Sequence, residues 1–205
     1  MAASTREKLI AAAHDLFYAE GFLGVGIERI IDAVGVTKTT FYNHFESKDD
    51  LILAVLDWHD RWWRDEFTQM LRRHGGDKPR DQLLAIGDAL DEMFSPAAGG
   101  GGDGEPCATG FNGCIFINVS VAFPVPHDPA HIAAARHKQA MEDIVRELAG
   151  YAGIDDPAAF AQEYCMMLEG AYVTRQVSGN PDTAAIASRL AKMLVERRLP
   201  AASSA

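Results

Sequence analysis

Residues 26–48 read GIERIIDAVGVTKTTFYNHFESK, and this stretch predicts two short helices joined by a tight turn. Apolar residues in the first helix recur at spacings of three and four, which places them on one face: Ile27, Ile30, Ile31 and Val34. Gly35 is expected to end that helix in a left-handed conformation. Thr37 is a favourable N-cap for the next helix. The stretch therefore predicts a helix-turn-helix unit.

The second helix, predicted over residues 38–45, combines a small apolar anchor with a polar surface. Phe41 and Phe45, four residues apart, cover one face. The rest of the surface consists of hydrogen-bonding side chains, namely Lys38, Thr39, Thr40, Tyr42, Asn43 and His44, with Lys48 just beyond. A helix that enters the DNA major groove needs such a face. A merely solvated helix face gives the same pattern, so the flanking sequence has to decide between the two interpretations.

Amphipathic helices are predicted on both sides of this unit. Residues 5–22 form the first, which ends at Gly21, and its apolar stripe consists of Leu9, Ile10, Ala13, Leu16 and Phe17. The second begins with Ser47 as N-cap and carries two aspartates in its first turn, where acidic groups suit the helix dipole. It is expected to continue to about His74, before Gly75 and Gly76.

With these elements in place, residues 5–57 resemble the TetR family of transcriptional regulators. The matching residues recur in order at fixed spacing: Ala12 to Phe17, Gly21-Phe22, Ile27 and Ile30, 33–36 (AVGV), 37–45 (TKTTFYNHF) and 47–51 (SKDDL). The resemblance implies an all-α homodimer with a three-helix DNA-binding head over residues 1–48. It also implies a helical ligand-binding and dimerisation body over residues 49–205. Such proteins usually act as repressors that a small molecule releases from DNA.

The resemblance also implies which residues contact DNA. Two copies of the second helix would lie in successive major grooves of a palindromic operator, about 35 Å apart. Tyr42, His44 and Lys48 are expected to contact phosphates. Base edges are assigned to Lys38, Thr39, Thr40 and Asn43, and the capping residue Thr37 completes the predicted DNA-binding set.

One departure from the family pattern affects the first helix of the unit. The family often has threonine at the positions of Val25 and Gly26. Val25 cannot cap a helix, and Gly26 is only a modest cap. A hydroxyl contact to phosphate is therefore not expected here, although the backbone N–H groups at that helix start can still bind a phosphate.

Composition and charge restrict the function further. The chain has 205 residues, of which 48% are hydrophobic and 23% charged, as in a globular protein with a sizeable core. Its net charge is −10, and residues 1–50 contain five Lys/Arg against eight Asp/Glu. A non-specific nucleic-acid coater should be basic. We therefore expect binding that depends on base contacts, with the cations Lys38 and Lys48 placed at the docking surface.

Localisation and cofactors follow from the same inspection. The N-terminal residues lack the apolar core of a signal peptide, and the longest apolar stretch, residues 114–125, is too short and polar to span a bilayer. The three cysteines, Cys107, Cys114 and Cys165, lack the spacing of a metal site and fit reduced thiols. We expect a cytoplasmic protein with no metal and no cofactor.

The remaining sequence predicts a helical body. Helices are expected over residues 79–94, 128–150, 157–178 and 183–198, with a loop over 95–110. The predicted inner faces are Leu83, Ile86, Leu90 and Phe94; then Ile132, Ala135, Met141, Ile144, Val145 and Leu148; and finally Ile186, Leu190, Met193 and Leu194. β-Branched residues in 110–126 (GFNGCIFINVSVAFPVP) favour a strand by propensity, but the helical surroundings favour a buried helix that contains Asn118.

The last two helices, residues 157–198, are expected to form the homodimer interface, as the resemblance implies. The first of them carries an apolar stripe of Phe160, Tyr164, Met167, Leu168, Ala171, Tyr172 and Val177. A monomer could bury the same stripe in its own core, so the stripe by itself is compatible with both arrangements.

A pocket for a small apolar effector is expected in the body. Aromatic, methionine and a few polar residues on predicted inner faces are the candidates: Trp62, Phe94, Phe111, Phe116, Asn118, His137, Met141, Met166, Glu169 and Tyr172. Each of these residues could equally be plain core.

Two other function classes are compatible with the sequence. An enzyme could pair Cys114 or Cys165 with His127, His131 or His137 as nucleophile and base, although no motif fixes that geometry. A helical adaptor could use the helix-turn-helix to bind protein. The leading interpretation is a regulator and not an enzyme.

Overall fold

The computed structural model describes residues 3–95 and 111–199, and within these ranges every regular element is a helix. The helices in chain order are α1 Thr5–Glu20, α2 Ile27–Val34, α3 Lys38–Tyr42, α4 Lys48–Gly75, α5 Pro79–Leu84, α6 Ile86–Phe94, α7 Ile115–Ala122, α8 Pro129–Tyr151, α9 Pro157–Ser178 and α10 Thr183–Arg198. The predicted all-α fold is confirmed. All of the predicted 95–110 loop except Ser95 lies outside the described residues.

The chain divides into two compact units. The first contains Met1–Trp62 and Pro96–His137, and the second contains Trp63–Ser95 and Lys138–Ala205. In the first unit, buried apolar side chains of α1 to α4 share one core with those of α7 and the start of α8. The three-helix head therefore does not pack alone, because α7 contributes Ile115, Phe116 and Val119 to the same core.

Local capping fixes the helix ends of the first unit as predicted. Gly21 and Gly35 end α1 and α2 with positive φ angles of 83° and 73°, which glycine adopts without strain. At the start of α4, the Ser47 hydroxyl oxygen accepts from the Asp50 N–H at 3.1 Å, and the Asp50 carboxylate accepts from the Glu46 N–H at 3.0 Å. This reciprocal pair satisfies two N–H groups near the helix start.

The prediction of one helix over residues 79–94 is wrong in one respect, because the chain forms two helices there with a break at Ala85. The buried Tyr164 hydroxyl donates to the Leu83 carbonyl oxygen at 2.7 Å. A continuous helix would offer that carbonyl to the N–H of Gly87. α6 restarts at Ile86, and Gly87 lies so close to α10 that a Cβ there would stand 2.5 Å from the Ser188 Cβ. A tertiary hydrogen bond and a close helix contact therefore replace the local pattern.

Two predicted inner faces also need correction. On α8, Ala135 is exposed, whereas its neighbour Ala134 is buried. On α10, the buried residues are small or β-branched, namely Thr183, Ala184, Ala187, Ala191 and Val195. The larger predicted stripe residues Ile186, Leu190 and Met193 are exposed instead. Small residues face inward on α10 because this helix packs closely against α9, α6 and α5.

α9 carries apolar residues on two faces. The predicted stripe lies largely in the core of the second unit, where Phe160, Tyr164, Leu168, Ala171 and Tyr172 are buried. The prediction is wrong for Val177, which is 80% exposed because it lies on another face of α9, together with Met166 at 75% and Val173 at 42%. With Gly170, this set has the spacing 4-3-4, and Ile186, Leu190 and Met193 on α10 have the spacing 4-3. Such spacing forms a narrow apolar seam along a helix.

None of the helices within residues 3–95 and 111–199 is both long and apolar enough to cross a membrane.

Candidate nucleic-acid interface

The turn between α2 and α3 is built by local hydrogen bonds. Gly35 adopts a left-handed conformation, and the N–H groups of Gly35 and Val36 both donate to the Ile31 carbonyl oxygen, at 2.9 and 3.1 Å. Thr37 then caps α3, because its hydroxyl oxygen accepts from the Thr40 N–H at 3.1 Å. The sequence predicts both features, since each depends on residues within one turn of the helix end.

α3 is shorter than predicted, because the helix ends at Tyr42 and not at Phe45. Residues 43–45 continue as a turn in which the N–H groups of His44 and Phe45 donate to the Phe41 carbonyl oxygen, at 2.9 and 3.0 Å. This turn still directs the Phe45 ring inward, where its centroid lies 5.7 Å from that of Phe41. Both rings are buried, so the predicted two-phenylalanine anchor is present.

The opposite face of α3 presents polar groups to solvent. Six of the eight predicted DNA-binding residues are exposed, namely Thr37, Lys38, Thr39, Tyr42, Asn43 and His44. Thr40 is half-buried, and its hydroxyl lies 2.9 Å from that of Thr37. A rigid apolar anchor beneath a continuous polar face can present side chains to the edges of bases.

Lys48, the eighth predicted residue, is held against the head. Its ammonium donates to the Phe22 carbonyl oxygen at 2.6 Å and lies 5.8 Å from the centre of the Phe17 ring. Burial lowers the pKa of Lys48 from its ordinary value. Because an ammonium carries three N–H donors, the bond to Phe22 positions Lys48 at the start of α4 and leaves capacity for another acceptor.

The structure adds a cation that the sequence did not predict at this surface. The exposed guanidinium of Arg6, in the first turn of α1, lies 5.1 Å from the centre of the Phe45 ring. A cation over an aromatic face is attracted by the ring quadrupole. Residues 6 and 45 are far apart in sequence, so no local periodicity signals this contact.

The start of α2 agrees with the expected departure from the family pattern. Val25 is buried in the core, and the N-cap Gly26 supplies no side-chain hydrogen bond. The N–H groups in the first turn of α2 therefore lack a hydroxyl cap from either residue.

Three of the candidate effector contacts of the first unit, Trp62, Phe116 and His137, belong to a packed cluster of aromatic rings and histidines around His59. The Phe116 ring stacks on His137 with centroids 3.7 Å apart, and the Nδ1 atom of His137 lies 2.7 Å from a carboxylate oxygen of Asp60. Trp62 lies 5.5 Å from His59, centroid to centroid. Phe111 is half-buried, and the Asn118 amide donates to the Asn112 carbonyl oxygen at 3.0 Å.

The candidate effector contacts of the second unit differ among themselves. Phe94 and Tyr172 are buried and pack edge to face, with centroids 6.3 Å apart, and Met141 is also buried. Glu169 forms an ion pair with Lys138 at 3.3 Å. Met166, by contrast, is exposed on the outer face of α9. An exposed position does not suit an enclosed pocket.

The environment of Cys165, one of the two candidate nucleophiles, favours the protonated thiol. Burial raises the pKa of its thiol to about 12, and the nearby Glu142 and Glu169 carboxylates act in the same direction. The thiolate is the reactive form, so Cys165 is a poor nucleophile at neutral pH. Within residues 3–95 and 111–199, no three His, Cys, Asp or Glu side chains are grouped so that they could hold a metal ion.

His14, His59 and His137 lie close together, and their environment indicates how the stability of the protein depends on pH. Burial lowers the pKa of His59 well below its ordinary value of 6.5, and the neighbouring His14 and His137 lower it further. Folded His59 therefore stays neutral where the unfolded residue binds a proton. The contribution of His59 to the free energy of unfolding is expected to be level above about pH 7. It should then fall as the pH decreases below about 6.5, by at most about 1.4 kcal/mol per pH unit from this group.

Urea unfolding over a pH series measures this effect. The wild type should lose stability on acidification more steeply than His59→Gln. Identical slopes for the two proteins would contradict the assignment of the acid sensitivity to His59.

Comparison with known proteins identifies the family. Residues 9–55 match the family model described as bacterial regulatory proteins, tetR family. A crystal structure of a TetR-family transcriptional regulator from Streptomyces coelicolor is similar over nearly the whole chain. It is 30% identical, with a TM-score of 0.81, and the match covers 95% of this chain and 96% of the other. This chain belongs to the TetR family.

Curated relatives of this TetR-family chain are regulators by name. An uncharacterised HTH-type transcriptional regulator of Lactococcus lactis is 38% identical over 97 residues, which cover 46% of each chain. The HTH-type transcriptional repressor NemR of Escherichia coli is 33% identical over 117 residues, which cover 57% of this chain and 52% of NemR. The similarity thus spans about half the length of these two relatives.

Proposed function

We propose that this TetR-family chain is a dimeric DNA-binding transcriptional regulator, and specifically a repressor that a small apolar ligand releases from its operator. Residues 1–48 would form the DNA-binding domain, and residues 49–205 the ligand-binding and dimerisation domain. The observation that carries the proposal is the polar face of α3, which is exposed around Lys38 and Asn43 above the buried Phe41 and Phe45. Family membership supports the same function.

The exposed seam on α9 and α10 supports the dimer. Each helix leaves large apolar side chains in solvent at the spacing of a helix-packing seam, with Met166 and Val177 on α9 and Met193 on α10 among them. Large apolar side chains left in solvent in such a row are typical of a protein interface. A second copy of the chain would bury both seams in a four-helix arrangement through residues 157–198.

The effector is proposed to contact Trp62, Phe111, Phe116, Asn118 and His137 of the first unit. Their aromatic rings provide apolar contact area, while Asn118 and the His137–Asp60 pair provide polar groups that can orient a ligand. Four residues of the second unit also remain proposed effector contacts, namely Phe94, Met141, Glu169 and Tyr172. Met166 is assigned to the dimer seam instead.

Release from DNA needs only that the ligand binds one conformation of the dimer better than another. α4 begins three residues after Phe45 and also carries Trp62. A ligand that displaces α4 would therefore also displace α3.

Binding to the DNA upstream of the protein's own gene tests the proposal. In a gel-shift experiment, the full chain should retard this fragment at a concentration that leaves a scrambled duplex free. Crude metabolite extract, and then fractions of it, should reverse the shift. A folded protein that binds the two duplexes equally, or neither of them, would refute specific regulation of this fragment.

A thermal-shift screen with apolar compounds tests ligand control separately. A ligand that releases DNA should raise the melting temperature, since binding to the native state alone stabilises it. It should also change the fluorescence of Trp58, Trp62 or Trp63. Operator DNA should weaken this ligand by the same factor by which the ligand weakens DNA. Unequal factors would reject the coupled-binding scheme, and specific DNA binding that no ligand alters would reject release by a ligand.

A further inference from the structure

An acidic side chain forms an ion pair with the cation at the start of α3. The Nζ atom of Lys38 lies 3.0 Å from the Oε1 atom of Glu28 on α2, although the two side chains are 57% and 68% exposed. Lys38 is the one cationic residue within α3. The pairing with Lys38 is the main cause that holds the pKa of Glu28 below its ordinary value, and it raises the pKa of Lys38. Both groups are therefore charged at neutral pH.

The same carboxylate also faces the start of α2. Glu28 is the acidic residue in the first turn of that helix. A Cβ at Gly26, the N-cap, would lie 3.6 Å from the Oε2 atom of Glu28. Glu28 thus places negative charge between the start of α2 and the ammonium of Lys38, where a helix dipole and a cation both favour an anion.

We propose that Glu28 is a specificity-determining residue: it competes with DNA for Lys38 and so suppresses binding to non-operator sequences. The inference rests on the proposed function, because it assigns Glu28 a role in DNA binding through α3. To contact an acceptor on DNA, Lys38 has to share its ammonium with Glu28 or leave it, and in either case the carboxylate stands near the phosphate backbone and is repelled by it.

The competition between Glu28 and DNA weakens non-specific complexes more than the complex with the operator. Non-specific binding depends almost entirely on cations at phosphates. A specific complex adds base contacts, such as those proposed for Asn43, which offset the loss of the Lys38–Glu28 pair. The head is acidic overall, with five Lys/Arg against eight Asp/Glu in residues 1–50. Because the head has so few cations, the pairing of one of them with Glu28 removes a large share of its attraction for phosphates.

Charge-neutralising substitutions in the full chain test the inference. Fluorescence anisotropy would measure binding to the upstream duplex and to a scrambled duplex over a series of NaCl concentrations. Glu28→Gln should strengthen binding to the scrambled duplex several-fold and to the upstream duplex less, so that the specificity ratio falls. The salt dependence on the scrambled duplex should steepen by about 1 per protomer in log–log slope.

Two controls separate this effect from net charge. Glu20→Gln removes the same charge from a glutamate that pairs with Arg29 at 2.7 Å in the same head, and it should change the specificity ratio less. The second control introduces Glu28→Gln into a Lys38→Gln background, where the gain should disappear because the competed cation is absent.

Three results would overturn the inference: an unchanged specificity ratio in Glu28→Gln, an equal change in Glu20→Gln, or a gain that persists without Lys38. If wild type and all variants are folded but bind neither duplex, the proposed function itself fails. Wild-type binding without an effect of Glu28→Gln rejects the role of Glu28 alone.

Discussion

Asn43→Ala should weaken operator binding by about 1–3 kcal/mol per recognition helix, which acts twice in a symmetric dimer. Asn43 is exposed directly after α3, on the chain segment held by Phe41 and Phe45. An asparagine amide can form two hydrogen bonds with adenine, and alanine can form neither. Lys38→Ala should likewise weaken operator binding, because it removes the cation assigned to a base edge.

Gel shifts with the upstream fragment, alongside circular dichroism, measure both effects. Gln139→Ala is a matched control, since it removes an exposed amide from α8. It should bind as the wild type does. If Asn43→Ala and Lys38→Ala keep full helicity and full operator affinity, the exposed face of α3 does not contact the operator.

Met193→Arg and Val177→Arg should each convert the dimer into a folded monomer. Both side chains are largely exposed in the protomer, at 65% and 80%, so arginine at either position leaves the core intact. In a four-helix interface the same arginine would be buried without a partner, at a cost of about 3–5 kcal/mol. Because one protomer covers one half-site, operator affinity should fall with the dimer.

Light scattering over a concentration series measures the oligomeric state. Ala185→Arg is a matched control, because this exposed residue lies about 100° around α10 from Ile186, away from the seam. It should remain dimeric. Leu168→Arg should unfold the protein instead, since Leu168 is buried in the core of the second unit. Dimeric Met193→Arg and Val177→Arg proteins, or a monomeric wild type that binds a palindrome tightly, would refute this interface.

The sequence predicts the helix ends well because their causes are local. Gly35, Ser47 and Gly179 each end or start a helix through bonds within a few residues. The break at Ala85 could not be predicted in the same way, because the Tyr164 hydroxyl that takes the Leu83 carbonyl comes from 81 residues away. The early end of α3 has a different cause, since the turn at residues 43–45 keeps Phe45 in the core without continuing the helix.

The candidate site shows the same division between local and distant causes. The phenylalanine anchor and polar face of α3 follow from the spacing of four between Phe41 and Phe45. The Arg6 contact joins α1 to Phe45 in the turn after α3, and the Glu28–Lys38 pair joins α2 to α3, so no spacing rule predicts them. On α9, hydrophobicity marks two faces at once, and only the fold separates the buried Tyr164 from the exposed Val177.

Hydroxyl-radical footprinting of the upstream DNA tests the central claim most directly, namely that two copies of α3 read one operator. The wild type should protect two related half-sites with centres about one helical turn apart, roughly 10 base pairs. Asn43→Ala should lose this protection at protein concentrations that saturate the wild type. A single unpaired protected site, or protection that Asn43→Ala leaves unchanged, would contradict a dimer that reads DNA through α3.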